Sequence, residues 1–466
     1  MVPEKKKLED MKKALLMQPK NGWDELKSHQ SDKIFAFCED YKVFLDNSKT
    51  ERDCTDTIEV LAKECGFTPY SRGMKLRAGD RVLLANRSRS IALAVIGSKP
   101  MSEGVNIIAA HIDSPRLDLK PRPLYEEDEL GFFKTHYYGG IKKYQWTAMP
   151  LELKGLVNLR SGKTVRVSIG GASDDPVFTI TDLLPHLSKD QYEKKLSEAI
   201  PGESLNILIG SIPCEGKGEG RLKLALIKLL NDNYGIIERD LVSAELSIVP
   251  AFPTRDVGLD RSMIGGYGQD DRVCAYVALK AIFDTKTPEK TAVCFLADKE
   301  EIGSEGVSGM KSHFFETFIA DLCECEGCRL DICFESSACI SADVLNAHDP
   351  NYADVSDKRN NARFNYGPAL MKYTGARGKS GSSDATSEYM EKICALFDKA
   401  GIPWQTGTLG KVDQGGGGTV AVYMAQRNID TIDAGVPVLS MHSPFEITSK
   451  LDIYFSYEGF RAFYAM

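Results

Sequence analysis

No stretch of this 466-residue chain stays apolar for the length that a membrane-spanning helix needs. An excess of basic charge is also missing: 58 Lys and Arg stand against 66 Asp and Glu, and the net charge of −8 argues against nucleic acid as a partner. The opening segment MVPEKKKLEDMKKALL lacks the apolar centre of an export signal. The expectation is therefore a cytoplasmic protein without a membrane partner, whose twelve cysteines stay reduced. A matching second CxxC is absent, so Cys323, Cys325, Cys328 and Cys333 do not follow a standard four-ligand spacing. They read as thiols around a helix end rather than as a zinc or iron–sulfur site. No internal repeat or low-complexity tract is present.

The length calls for two or more domains. SDKIFAFCEDYKVFLDNS has helical apolar spacing, and a second helix follows with Ser48 or Thr50 as its cap and Gly66 as its stop. A hairpin occupies residues 74–98, and a strand ends at His111. Short alternating strands such as LELKGLVNL and KTVRVSIGG then mark a β-rich insert over 122–256. The α/β rhythm resumes after it, with strands TAVCFLA, RLDICFESSACI and GVPVLSM and a helical C-terminus, DIYFSYEGFRAFYAM. The reading is a discontinuous unit, 1–121 plus 257–466, with a mixed sheet flanked by helices.

Open α/β sheets place their chemistry at the carboxyl ends of strands. His111, Glu301, Asp343 and His442 each follow a strand-like apolar run, and Asp270 opens a helix after glycines. Singly, each has an ordinary explanation as a cap, a loop acid or a core histidine. Together they are a mixture of imidazole and carboxylate suited to zinc, manganese or cobalt. Five ligands exceed the four of a structural zinc and fit two metals sharing a carboxylate. The neighbouring Glu300 adds a carboxylate free to move a proton.

The elements HIDSP (111–115), YGG (138–140), GQDDR (268–272), DKEEIGS (298–304), SADV (341–344), GGGGT (415–419) and MHSPFE (441–446) resemble those of the aspartyl aminopeptidase family along nearly the whole length. The resemblance implies a zinc-aminopeptidase-like catalytic unit with a β-rich dimerisation insert, and dimers that build a larger closed shell, a dodecamer. It implies that Asp270 bridges two metals, that His111 and Asp343 hold one, and that Glu301 and His442 hold the other. Glu300 would be the general base, and Asp113 would orient His111. His186, in TDLLPHLS, matches a histidine that enters the neighbouring subunit's site. Lys372 aligns with the lysine of the family's substrate pocket, ahead of the other basic candidates Arg377, Lys379 and Lys411. The glycine run around Gly417 could bring backbone close to a peptide substrate. Two departures from the family pattern, SADVLNAHDPNY and QWTAMPLELKG, leave a broader aminopeptidase open beside an Asp/Glu-specific one. The same scaffold would also suit a deacylase or a carboxypeptidase, and a non-catalytic assembly protein would keep the fold without the chemistry.

Overall fold

The computed structural model describes residues 2–27 and 29–466. Its centre is a nine-stranded mixed sheet, and four strands in the middle run parallel: Thr291–Ala297, Val105–His111, Ala338–Ser341 and Asp430–Gly435. These strands are apolar almost throughout because helices cover both faces. Successive side chains point to opposite faces. Ile108 and Ala110 accordingly join a core under the helices Gln30–Asp46, Gln269–Asp284, Ser387–Ala400 and Lys450–Tyr464. Ile107 and Ala109 join the opposite core, beneath Phe314–Glu324 and Leu330–Glu335.

Helix ends follow the chemistry of their caps. Thr50 accepts the Asp53 N–H at the start of Glu51–Glu64, and Gly66, at φ +84°, lies just past the end of that helix. One predicted strand is corrected: RLDICFESSACI forms a helix, Leu330–Glu335, before the short strand Ala338–Ser341. Cys333 and Phe334 fall three and four residues past Leu330, so a helix buries them on one side as readily as a strand would.

An antiparallel six-stranded sheet lies within residues 116–250, in the order Thr164–Ile169, Leu151–Asn158, Glu245–Pro250, Arg116–Glu127, Leu130–Tyr138, Ile207–Gly210. Helix Arg221–Tyr234 packs on it, burying Leu222 and Leu226. Sequence reading missed this helix behind its glycine-rich leader. A five-stranded sheet includes Met263–Gly266, Glu446–Ser449 and Pro437–Leu439 side by side. Among the described residues, no helix is long and apolar enough to cross a membrane.

The end of the strand Asp430–Gly435 is packed against the segment that carries Asp343. A Cβ on Gly435 would lie 1.8 Å from the Asp343 carbonyl oxygen, backbone that cannot swing aside. Gly435→Ala is expected to cost about 2–3 kcal/mol in thermal unfolding. Gly378→Ala, where a Cβ meets nothing within 4 Å, should leave the transition in place.

Candidate metal centre

The strand register sets the first half of the site. Ala297 stands opposite His111, and Ser341 opposite Ala109. His111 therefore ends level with the end of its neighbour. Glu300 and Glu301 follow in the turn Glu300–Ile302, and Asp343 comes two residues past the strand Ala338–Ser341. The five-stranded sheet supplies the other half. Gly266 pairs with Glu446, so the turn holding His442 and the loop leading to Asp270 leave neighbouring strands at one end. Gly268, at φ +78°, allows the sharp entry into the helix. A Cβ there would sit 1.9 Å from the Arg272 guanidinium.

The two sets meet at Asp270. Its Oδ1 lies 3.1 Å from His111 Nε2, and its Oδ2 lies 3.2 Å from His442 Nε2. Asp343 Oδ1 is 3.9 Å from the same His111 nitrogen, and Glu301 Oε1 is 3.5 Å from that of His442. Ligand atoms of His111, Asp270 and Glu301 fall within 4.8 Å of one another, as do those of His111, Asp271 and Asp343. Each imidazole is turned so that Nε2 faces the cluster. His442 Nδ1 contacts the Gly140 carbonyl at 2.8 Å, and His111 Nδ1 contacts the Asp113 carbonyl at 3.0 Å. Such contacts put the proton on Nδ1 and leave the Nε2 lone pair for a ligand role.

Two further carboxylates hold the backbone of the site. Asp113 accepts the Glu300 N–H at 3.1 Å, the Glu301 N–H at 3.2 Å and the Tyr138 hydroxyl at 2.7 Å. Glu446 accepts the Asp270 N–H at 3.0 Å and the His442 N–H at 2.7 Å. Sequence reading gave no role to Glu446, Asp271 or Tyr138, although all three stand inside the motifs that carry the resemblance. The role of Glu446 comes from the pairing of its strand with the Asp270 arm, which the sequence does not display.

Charge in the site is unbalanced. Burial pushes Glu300 up to about 7. Burial, with Asp270 close by, drives Glu301 far above the ordinary carboxylate range, and burial with Asp271 close by does the same to Asp343. Asp270 is also penalised by burial, but His111 and His442 outweigh it and hold the carboxyl low. Burial opposes a proton on His442, yet Asp270, Glu301 and Glu446 raise it to about 10. Glu301 Oε1 and Asp271 Oδ1 are buried without a hydrogen-bond partner. Orphaned carboxylate oxygens and two Nε2 lone pairs around one point fit divalent cations.

The cluster lies in a cleft of about 950 Å³, on whose wall stand Glu300, Gly417, Lys142, Arg377 and Lys411. Lys372, the expected pocket lysine, is not among the residues lining it in this chain. Met371 and Tyr373 face the cleft, and alternation along the chain turns the residue between them away. The Lys372 ammonium instead reaches Asp384 at 3.1 Å and the Ala385 carbonyl at 2.8 Å. Lys379 is likewise held by Asp384, at 2.8 Å. His186 is exposed and lines no part of its own chain's cleft.

Asp113→Asn removes the negative charge beside His111 and one acceptor for the two glutamate N–H groups. Zinc affinity is expected to fall roughly 10- to 100-fold. Competition with a chromogenic chelator measures this, and an unchanged affinity would refute the orienting role.

Residues 44–464 match the family described as Aminopeptidase I zinc metalloprotease (M18). The chain is 46% identical over 462 residues to a probable M18 family aminopeptidase 1 of Clostridium acetobutylicum, covering 97% of this chain and 99% of that one. A crystal structure of an M18 family aminopeptidase from Thermotoga maritima superposes with a TM-score of 0.92 at 43% identity, covering 96% of this chain and 99% of that one. A dodecameric yeast aminopeptidase 1 shares the fold at a TM-score of 0.74 and 19% identity, covering 93% of this chain and 96% of that one. The chain therefore belongs to the M18 family of aminopeptidase I zinc metalloproteases.

Proposed function

We propose that the cleft binds two divalent cations, zinc first and manganese or cobalt as substitutes, and releases N-terminal residues from peptides. The carrying observation is the division of Asp270, one oxygen toward His111 and the other toward His442. That division supports a bridging role. His111 and Asp343 would complete one cation's protein ligands, and Glu301 and His442 those of the other. Such a pair lowers the pKa of water, polarises a carbonyl and offers a coordination position to a free α-amine.

The remaining chemistry belongs to the chain. Glu300 lines the cleft, and burial lifts its pKa to about 7. A carboxyl of that acidity suits a group that takes a proton from the attacking water and returns it to the leaving amine. Asp113 fixes Glu300 through its backbone N–H. Gly415 to Gly418 let the substrate approach the cleft wall closely.

For an acidic N-terminal side chain, Arg377 and Lys411 are the basic candidates on the wall. Residues 122–256 are read as the dimerisation insert, within which His186 would reach a neighbouring subunit's cleft. Leu183, Leu184 and Leu187 are exposed around it, as an interface before assembly would be. The twelve free cysteines support a reducing, cytoplasmic setting.

Glu300→Gln keeps the ligand set and removes the proton carrier. Its metal content should match the parent by elemental analysis while kcat falls roughly 10²- to 10⁴-fold; a near-normal kcat would sink the base assignment. Stripping the metal with a chelator should abolish turnover, and zinc, manganese or cobalt should restore it. The restored protein should cleave a peptide with a free N-terminus and spare its N-acetylated form. Cleavage of both would favour the deacylase reading.

A further inference from the structure

The loop that carries Glu300 and Glu301 is closed at its base. The Asp298 N–H bonds to the Ser308 carbonyl at 3.2 Å, and the Ser308 hydroxyl donates to Asp298 Oδ2 at 2.5 Å. Between this neck and Glu300 stands Lys299, left-handed at φ +69°, a conformation that a lysine keeps only where its surroundings impose it. The Lys299 carbonyl accepts the Ser304 N–H at 2.7 Å and the Ile302 N–H at 3.3 Å. The path from Asp298 to Glu300 therefore has little slack, and a shift of the neck moves Glu300 with it.

A hairpin turn grips the neck from outside. Between the strands Arg81–Asn86 and Ser90–Val95, Asn86 Nδ2 donates to the Val307 carbonyl at 2.8 Å, and Arg89 Nη1 donates to Asp298 Oδ2 at 3.0 Å. Asp298 is fully buried, and its Oδ1 has no hydrogen-bond partner. Lys299 Nζ stands farther from Oδ2, at 3.7 Å. A carboxylate so placed depends on its counter-charge, because burial without one costs several kcal/mol.

Arg89 has two further partners. Its Nη1 lies 3.1 Å from Glu51 Oε1, and its Nη2 lies 3.1 Å from Glu245 Oε2. Glu51 opens the helix Glu51–Glu64, and Glu245 opens the strand Glu245–Pro250 of the six-stranded sheet. One guanidinium thus joins the loop, a helix and that sheet, a task suited to a planar fork of five donors. Asp113 fixes the same loop at the Glu300 and Glu301 N–H groups, so Arg89 is a second and separate hold.

We propose that Arg89 is a positioning residue for the reaction: it ties the neck of the Glu300 loop to the six-stranded sheet through Glu245, so that the placement of the sheet sets the placement of Glu300. This rests on Glu300 as the base of the proposed reaction.

Turnover of a dipeptide by the zinc-loaded protein is measured for Arg89→Met, Arg89→Lys, Glu245→Gln, Glu300→Gln and the double variant Arg89→Met with Glu300→Gln. Misplacing a reacting group by about 1 Å can cost about 10²-fold, so Arg89→Met is expected to lower kcat about 10- to 100-fold. KM and zinc affinity should stay within about threefold, because His111, Asp270, Asp343 and His442 come from other segments. Arg89→Lys should regain part of the loss, since an ammonium keeps the charge beside Asp298 but spans fewer partners. Glu245→Gln alters a side chain that is 44% exposed and leaves Asp298 paired; it should lower kcat by about threefold. The double variant should be no more than about threefold slower than Glu300→Gln alone, because Arg89 acts through Glu300.

A merely structural Arg89 would lower the Tm of Arg89→Met and leave its kcat in place, which would overturn the proposal. So would losses that multiply in the double variant while Glu300→Gln alone is crippled, a result that leaves the base assignment standing. A near-normal kcat in Glu300→Gln alone sinks the base assignment, and this proposal with it. Should Arg89→Met fail to fold, Glu245→Gln decides: a kcat equal to the parent's would overturn the tie to the sheet.

Discussion

Buried negative charge is the constraint around which this molecule is arranged. Asp270, Asp271 and Asp343 are buried, Glu301 has only 5% of its side chain exposed, and Glu300 stands beside them, with two imidazoles for company. Removing carboxylates from water costs several kcal/mol each unless opposite charge replaces the lost hydration. Among the described residues, the ion-pair partners of Asp270, Glu301 and Asp343 are histidines and no Lys or Arg, which leaves the compensation to bound zinc. The nine-stranded sheet makes such an arrangement tolerable. Its parallel strands are fixed by packing on both faces, so mutual repulsion among the acids cannot spread their carboxyl ends.

Asp113 and Glu446 solve one problem on opposite sides of the cluster. Each is a buried carboxylate that takes two backbone N–H groups, Asp113 those of Glu300 and Glu301, and Glu446 those of Asp270 and His442. Both act on backbone N–H groups, so they hold these segments whatever rotamers the neighbouring side chains adopt. The Asp113 side is tied further outward. Tyr138 donates to it, the Arg116 guanidinium lies 4.1 Å from the Tyr138 ring, and Arg116 pairs with Glu51 at 3.0 Å. Tyr138 and Arg116 come from the six-stranded sheet. The fold thus couples that sheet to the orientation of His111, and a strain at the sheet's free faces has a short path to the metal centre.

The parts of the structure set by one local rule were readable from the chain. Apolar runs of strand length marked the parallel strands, and their ends marked His111, Glu301 and Asp343. Thr50 and Gly66 bounded a helix through capping chemistry alone. Legibility failed where a pattern serves two conformations, as at Leu330–Glu335, whose apolar residues suit a strand run and a helix face equally. It failed again for Glu446, because its function is to accept N–H groups from residues 176 and four positions away, and nothing in composition announces such partners. The meeting of Asp270 with both histidines needed the pairing of Gly266 with Glu446, a register no single segment contains.

Lys372 shows why specificity is harder to read than chemistry. A metal ligand is recognised by residue type, and the sheet edge tolerates little displacement of it. A pocket cation is recognised by which way one side chain points, and in an extended segment a shift of one position reverses that direction. Met371 and Tyr373 take the cleft side, the lysine between them pairs with Asp384, and the cations on the cleft wall come from segments outside the sheet. Lys142, Arg377 and Lys411 arrive from three such segments, and Asp349 and Asp357 stand on the same wall. Their positive and negative charges partly cancel at range, and selectivity falls to whichever group a substrate side chain reaches within a few ångströms. The rigid edge fixes what reaction the cleft performs; the loops that frame it are free to set which peptides enter.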